Sequence, residues 1–256
     1  MLLAIDCGNT NTVFAIYNGE KELGIWRIST DPERTSDEYA VWLTQLMSLK
    51  NFHVEMVKEV IIATVVPRTR FNLNKLINDH FKLTPLIVRD PDVKLGIKIL
   101  VERPEQVGSD RLVTAVGAHA RYPEDLIVID FGTGTTFDII DKNGNWCGGV
   151  ISPGVNLSVE ALSMAGALLP RVNIEKPKNI IGGNTVAAMQ SGIFWGYISM
   201  IEGMVPRIVE EYRLPMKVIA TGGLASLFVD HTDIIEVAEP DLTLFGLVEI
   251  NRRNRK

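Results

Sequence analysis

Two stretches of this chain carry the same residue types in the same order. Ala4-Ile5-Asp6-Cys7-Gly8-Asn9-Thr10-Asn11-Thr12 lines up with Val128-Ile129-Asp130-Phe131-Gly132-Thr133-Gly134-Thr135-Thr136 at a constant offset of 124 residues. In each, an apolar run ends in Asp-x-Gly, and a turn rich in hydroxyls and amides leads into a second apolar run. A tight glycine turn between two strands aims consecutive backbone N–H groups and hydroxyls at one point, which makes an anion cradle suited to phosphate. Glycine permits the close approach because it has no Cβ and tolerates positive φ. A carboxylate such as Asp6 beside a phosphate cradle makes chemical sense with a magnesium ion between the two, since bare anions repel and magnesium takes carboxylate, water and phosphate oxygens. One copy alone also fits an ordinary hairpin; two copies in register point to a pair of cradles around a nucleoside triphosphate. A third glycine turn, Gly222-Gly223 after the apolar run Val218–Ala220, suits either passage beneath a flat base or sugar or a plain strand-to-helix turn.

The elements that must hold these turns are legible in the hydrophobic spacing. Strand-like runs fall at Leu2–Ile5, Thr12–Tyr17, Gly24–Ile28, Val60–Val65, Leu86–Val88, Leu126–Asp130, Thr136–Ile140, Lys217–Ala220 and Ile234–Val237. Helical spacing falls at Ser36–Leu49, Pro67–Phe81, Gln106–Arg121, Asn156–Ala165, Asn184–Tyr212 and from Leu242 to the C-terminus. Each half opens with a β-hairpin and not a βαβ unit, which argues for an α/β class with mixed sheets over a simple doubly wound one. The 256 residues, 46% hydrophobic and 22% charged, suffice for two domains. The duplication places the boundary in the polar link Arg121–Asp125, giving an N-terminal domain of residues 1–121 and a C-terminal domain of residues 122–256.

The net charge of −5 excludes a global positive field that would recruit nucleic acid or an anionic membrane. The basic end Arg252–Lys256 reads as a solvated helix terminus that suits the helix dipole. Cys7 and Cys147 have no metal or disulfide spacing, and His53, His80, His119 and His231 are scattered, so neither a zinc site nor a disulfide framework is expected. Cys7 has no base placed beside it and reads as a small buried thiol. Met1–Asp6 reads as a first strand without an export signal, and the apolar stretch Val186–Val209 is interrupted by Gln190, Glu202 and Pro206, so a cytoplasmic chain with no membrane span is expected.

Five ordered motifs, Asp6-x-Gly8-Asn9-Thr10, Gly108-Ser109-Asp110-Arg111, Phe131–Thr136, Gly148–Gly154 and Gly183–Gly192, together resemble the type III pantothenate kinase family over nearly the whole chain. The resemblance implies the actin-like, sugar-kinase and Hsp70-like ATPase fold: two duplicated ribonuclease-H-like domains with mixed sheets and nucleotide held in the cleft between them. It also implies phosphorylation of the primary hydroxyl of pantothenate by ATP, the first step of coenzyme A synthesis. The cofactors implied are magnesium and a monovalent cation, potassium or ammonium, and the assembly implied is a homodimer with the pantothenate pocket at the subunit interface.

Carried over by position, Asp6, Cys7, Gly8, Asn9, Thr10, Asn11, Thr12 and Val13 would bind the ATP phosphates, with Asp6 on the magnesium side. Thr133 would add a phosphate contact and Asp130 would coordinate potassium. Gly108, Ser109, Asp110 and Arg111 would bind pantothenate, with Asp110 accepting the hydroxyl proton, and Thr185 would complete the pocket. A carboxylate in the first turn of a helix suits that task, because phosphoryl transfer leans on positioning and charge neutralisation more than on a strong base. One departure stands out: many members have an aromatic residue nine positions before the catalytic Asp, and here that residue is Val101. The rivals are another kinase on the same fold, such as a sugar or acetate kinase, and a non-catalytic regulator. A degenerate regulator is expected to lose Asp6, Asp110 or Asp130, and this chain keeps all three.

Overall fold

A computed structural model describes residues 1–166 and 169–255. The chain divides into two compact units, Met1–Arg121 with Leu242–Lys256, and Tyr122–Asp241. The last helix therefore belongs with the first unit, which corrects the expected 122–256 domain.

The first unit is built on a five-stranded sheet in the order β3-β2-β1-β4-β5. β1 (Leu2–Cys7), β2 (Asn11–Asn18) and β3 (Lys21–Ser29) run antiparallel, and β4 (Glu59–Thr64) and β5 (Leu86–Ile87) join in parallel on the far side of β1. Asn18-Gly19 makes the β2–β3 turn with Gly19 at φ 62°, the left-handed backbone that glycine takes without strain. β1 is apolar at nearly every position because both of its faces are covered. Leu3, Ile5 and Cys7 face a core with α1 (Ser36–Leu49) and α2 (Pro67–Leu76), whereas Leu2 and Ala4 face one with α3 (Ser109–Arg121) and α7 (Leu242–Asn254). Thr35 and Glu38 form a reciprocal capping box that starts α1.

The second unit repeats this topology as β10-β9-β6-β7-β8. β6 (Leu126–Phe131), β7 (Gly134–Ile140) and β8 (Trp146–Pro153) are the antiparallel strands, with β9 (Lys217–Thr221) and β10 (Val237–Ala238) parallel beyond them. α4 (Val155–Ala165) and the 28-residue α5 (Thr185–Tyr212) cover one face, and α6 (Ala225–Val229) follows β9. β8 escapes the hydrophobic pattern because Gly148 and Gly149 lie inside it, with Gly148 at φ 136° next to a register shift in the ladder. α3 starts at Ser109 and not at Gln106, because Pro104–Gln106 forms a separate 3₁₀ turn. No helix among the described residues is long and apolar enough to cross a membrane.

The register corrects the sequence alignment of the two cradles. Cys7 pairs with Thr12 and Asp6 with Val13, whereas Phe131 pairs with Thr135 and Asp130 with Thr136. The second turn is thus one residue shorter, and the equivalents are Thr12 with Thr135 and Phe14 with Phe137, all four fully buried.

The basic residues at the end of α7 make ion pairs while Arg252 and Arg255 stay exposed to solvent, as the sequence reading expects; Lys256 lies outside the described residues. Buried Glu249 accepts from Arg252 Nε at 2.7 Å and Arg253 Nε at 2.9 Å, and Glu59 on β4 accepts from Asn251 Nδ2 at 2.9 Å and Arg255 Nη2 at 2.7 Å. Burial pushes both carboxyls up, but the donated hydrogen bonds outweigh it and hold both below the ordinary glutamate range. Folded carboxyls of lowered pKa bind fewer protons than unfolded ones, so their stabilisation is present above the unfolded pKa and fades as pH falls through the folded one. Thermal melts from about pH 6 down to about pH 3 should show the wild type losing stability more steeply than a Glu59→Gln/Glu249→Gln variant, in the window where glutamates titrate. Parallel slopes would remove these contacts from the acid response.

Candidate active site

β1 delivers Asp6 to its C-terminal end, where the chain turns through Gly8–Asn11 into β2. Gly8 N donates to Asn11 O at 3.0 Å and closes the turn. Asn9, Thr10 and Asn11 are exposed on it, and Asp6, Gly8 and Val13 are half-buried. Alternation in the strands turns Cys7 and Thr12 the other way, into the core, where both are fully buried. Of the eight residues expected along the ATP phosphates, these two have their side chains in the floor on the core side of the turn.

That floor is a continuous run of hydroxyls. Thr30 Oγ1 donates to Gly8 O at 2.7 Å and lies 2.9 Å from Thr12 Oγ1, which is 3.3 Å from Cys7 Sγ. Cys7 Sγ in turn lies 3.2 Å from Thr69 Oγ1, and Thr69 Oγ1 lies 3.1 Å from Thr64 Oγ1. The main-chain oxygen of Thr64 then accepts from Ser109 Oγ at 2.9 Å. The run passes under the ends of β1, β2 and β4 and arrives at the residue before Asp110. Neighbouring Tyr39 is fully buried, and burial pushes its phenol up, so it keeps its proton.

Asp110 sits in the first turn of α3, where the helix dipole favours a carboxylate, and its Oδ1 accepts from Arg111 N at 2.7 Å. Gly108 lies against the Asp110 carboxylate, so a Cβ there would strike it. The approach to α3 is held from the sheet edge by Arg89, at φ 78°, whose guanidinium donates to Val107 O and, at 3.1 Å, to Pro104 O. Ser109 is buried, and Arg111 is half-buried beside it. Val101 is half-buried in the bend before this segment, next to Leu100, which is 52% exposed. The cradle and Asp110 therefore share one end of one sheet.

In the second unit, Asp130 holds the position of Asp6, and the exposed Thr133 lies in the turn that follows. Gly222, at φ 87°, packs onto this aspartate: a Cβ would come within 2.5 Å of Asp130 Oδ1 and 2.7 Å of Phe131 O. Gly154, at the start of α4, lies against Thr133 O with no room for a side chain. Thr185 is the exposed first residue of α5, whose cap is Asn184, accepting from Ala187 N at 2.9 Å.

The residues that sequence reasoning missed are Thr30, Thr64, Thr69 and Arg89. Threonines at strand ends and after Pro67 were the available signal, but a hydroxyl there reads equally as turn chemistry.

The model of the type III pantothenate kinase family matches residues 2–207. The chain belongs to that family. A type III pantothenate kinase of Rhodospirillum rubrum is 58% identical over 255 residues, covering 100% of this chain and 99% of that protein. One of Paramagnetospirillum magneticum is 58% identical over 254 residues, covering 99% and 98%. The fold is also that of a conserved Campylobacter jejuni protein assigned to the Baf family of transcriptional activators, with TM-score 0.61, 19% identity and 98% of each chain covered. An inorganic polyphosphate/ATP-glucomannokinase from an Arthrobacter species shares it at TM-score 0.52 and 17% identity, again with 98% of each chain covered. The duplicated mixed-sheet architecture is thus the sugar-kinase-type fold expected for a type III pantothenate kinase.

Proposed function

We propose that this chain phosphorylates the primary hydroxyl of pantothenate with ATP, yielding 4′-phosphopantothenate for coenzyme A synthesis. The observation that carries the reading is the shared sheet end, where a phosphate-type cradle and the first turn of α3 with Asp110 are joined by hydrogen bonds, in a chain of this family.

Gly8–Asn11 would hold the ATP phosphates through backbone N–H groups and the exposed Asn9, Thr10 and Asn11, and Thr133 of the second unit would add a further contact. Gly108, Ser109, Arg111 and Thr185 would hold pantothenate. Asp110 would orient the hydroxyl in line with the γ-phosphate and accept its proton as the bond to phosphorus forms and ADP leaves. No cluster of three or more His, Cys, Asp or Glu among the described residues could hold a metal alone. A lone carboxylate at the cradle fits magnesium, which commonly takes one or two carboxylates plus substrate phosphates, so Asp6 would hold it there. Asp130 and the Phe131 carbonyl, both against Gly222, would supply two of the oxygens around potassium or ammonium. Bound there, these cations would neutralise charge developing on the phosphates. The working form is a cytoplasmic homodimer in which the partner completes the pantothenate pocket.

An acceptor panel tests the reading against a sugar or acetate kinase. With ATP and magnesium, pantothenate should be the acceptor that drives ADP release, and turnover should fall when sodium replaces potassium. Activity on sugars or acetate with none on pantothenate would overturn it, and indifference to the monovalent ion would remove that role from Asp130.

A further inference from the structure

The hydroxyl run beneath the cradle has a centre, and the centre is Thr69. The residue is 1% exposed, in the first turn of α2. A hydroxyl has one proton and two lone pairs. Thr69 Oγ1 donates its proton to Val66 O at 2.9 Å and lies 3.2 Å from Cys7 Sγ and 3.1 Å from Thr64 Oγ1, which itself reaches Val66 O at 3.2 Å. On the far side of Cys7, Thr12 Oγ1 lies 3.3 Å from its sulfur and 2.9 Å from Thr30 Oγ1, which donates to Gly8 O at 2.7 Å. The Cys7 sulfur thus lies between the Thr12 and Thr69 hydroxyls.

The two neighbours of Thr69 belong to the two sides of the site. Cys7 lies between Asp6 and Gly8, and its main-chain oxygen accepts from Val65 N at 3.1 Å. Thr64 holds Ser109, the residue before Asp110, through its own carbonyl. The Thr69 oxygen thus ties the phosphate turn to the start of the acceptor helix through a buried link. Resting on the pantothenate kinase reading, we propose that Thr69 is a positioning residue for the transfer: it touches no substrate and sets Gly8–Asn11 and Asp110 in fixed relation.

Valine has the same shape without the hydroxyl and sets a methyl group against Cys7 Sγ, Thr64 Oγ1 and Val66 O; serine keeps the hydroxyl and its three contacts. In the intact purified protein, Thr69→Val should lower kcat by about 10-fold or more, because misplacement of reacting groups by an ångström costs up to about 100-fold. KM for ATP and for pantothenate should each change by less than about 3-fold, and Thr69→Ser should stay within about 2-fold of wild type on the same scale of effects. Amide hydrogen exchange should quicken at residues 8–12 and 109–112 in Thr69→Val while β1 and β6 stay protected. A folded Thr69→Val with wild-type kcat, or with loss of activity matched only by loss of folded protein, overturns the proposal. Thr69→Ala, which cannot crowd the site, replaces the valine variant should that one fail to fold. If wild-type protein does not act on pantothenate, the kinase reading falls, and the exchange measurement decides Thr69 separately: unchanged exchange at both segments overturns its role.

Discussion

Asp110→Asn should reduce phosphopantothenate formation by about 10²- to 10⁴-fold, the range for loss of a general base, while ATP binding stays near that of wild type. The asymmetry follows from where the side chain sits. Asp110 occupies the first turn of α3 next to Gly108 and Ser109, whereas the turn proposed to hold the phosphates is Gly8–Asn11 between β1 and β2. Asparagine keeps the size and can still accept from Arg111 N, so the helix start should persist. It lacks the charge and the basic oxygen that take the alcohol proton. Steady-state kinetics with a separate ATP titration checks this: kcat should fall with little change in ATP affinity. Near wild-type turnover would remove Asp110 from the base role, and a matched loss of ATP binding would place it in the nucleotide site.

The largest stability effect should come from Gly246→Ala. α7 crosses α3 at two facing glycines: a Cβ on Gly246 would strike Val113 O and come within 2.8 Å of Val113 C, and one on Gly117 would meet Leu242 O at 2.5 Å and Gly246 N at 2.9 Å. These neighbours are backbone, so relief requires the two helices to part. Alanine is favoured over glycine inside a helix by about 1 kcal/mol, but overpacking against backbone costs about 1–3 kcal/mol or more, and the clash wins. The contact also matters beyond stability, because Leu244, Leu247 and Ile250 of α7 pack with Val113 and Val116 of α3, the helix that carries Asp110. Differential scanning calorimetry should show a fall of several degrees, at roughly 2–4 °C per kcal/mol for a chain of this size. Gly196→Ala, with open space around its Cβ, is the control and should be neutral or slightly stabilising. A Gly246→Ala melt unchanged from wild type would show that the helices do not cross this closely.

Much of this was legible in the residues alone. The paired Asp-x-Gly turns gave the duplication, because a strand that ends in a carboxylate and a glycine turn is a local pattern. The helix start at Asp110 was near its expected place, since Pro104 and Ser109 punctuate it locally. What was not legible depended on contacts distant in sequence. α7 was assigned to the second unit because sequence order was the only guide, and its place is fixed by glycines that meet α3 across more than a hundred residues. β8 was missed because its two glycines lower strand propensity, and the ladder with β7 overrides that. The inward turn of Cys7 and Thr12 follows from strand alternation once Asp6 is placed, yet the hydroxyl run from Thr30 to Ser109 draws on three strands, the residue after a fourth, and two helices, and has no signature in any one of them.

The most direct test is a single comparison with purified protein, ATP, magnesium and potassium, in which ADP and phosphorylated product are quantified with and without pantothenate. The account predicts ADP and 4′-phosphopantothenate in equal amounts, both dependent on pantothenate. ADP released without phosphopantothenate, or no ADP in either arm, would contradict it.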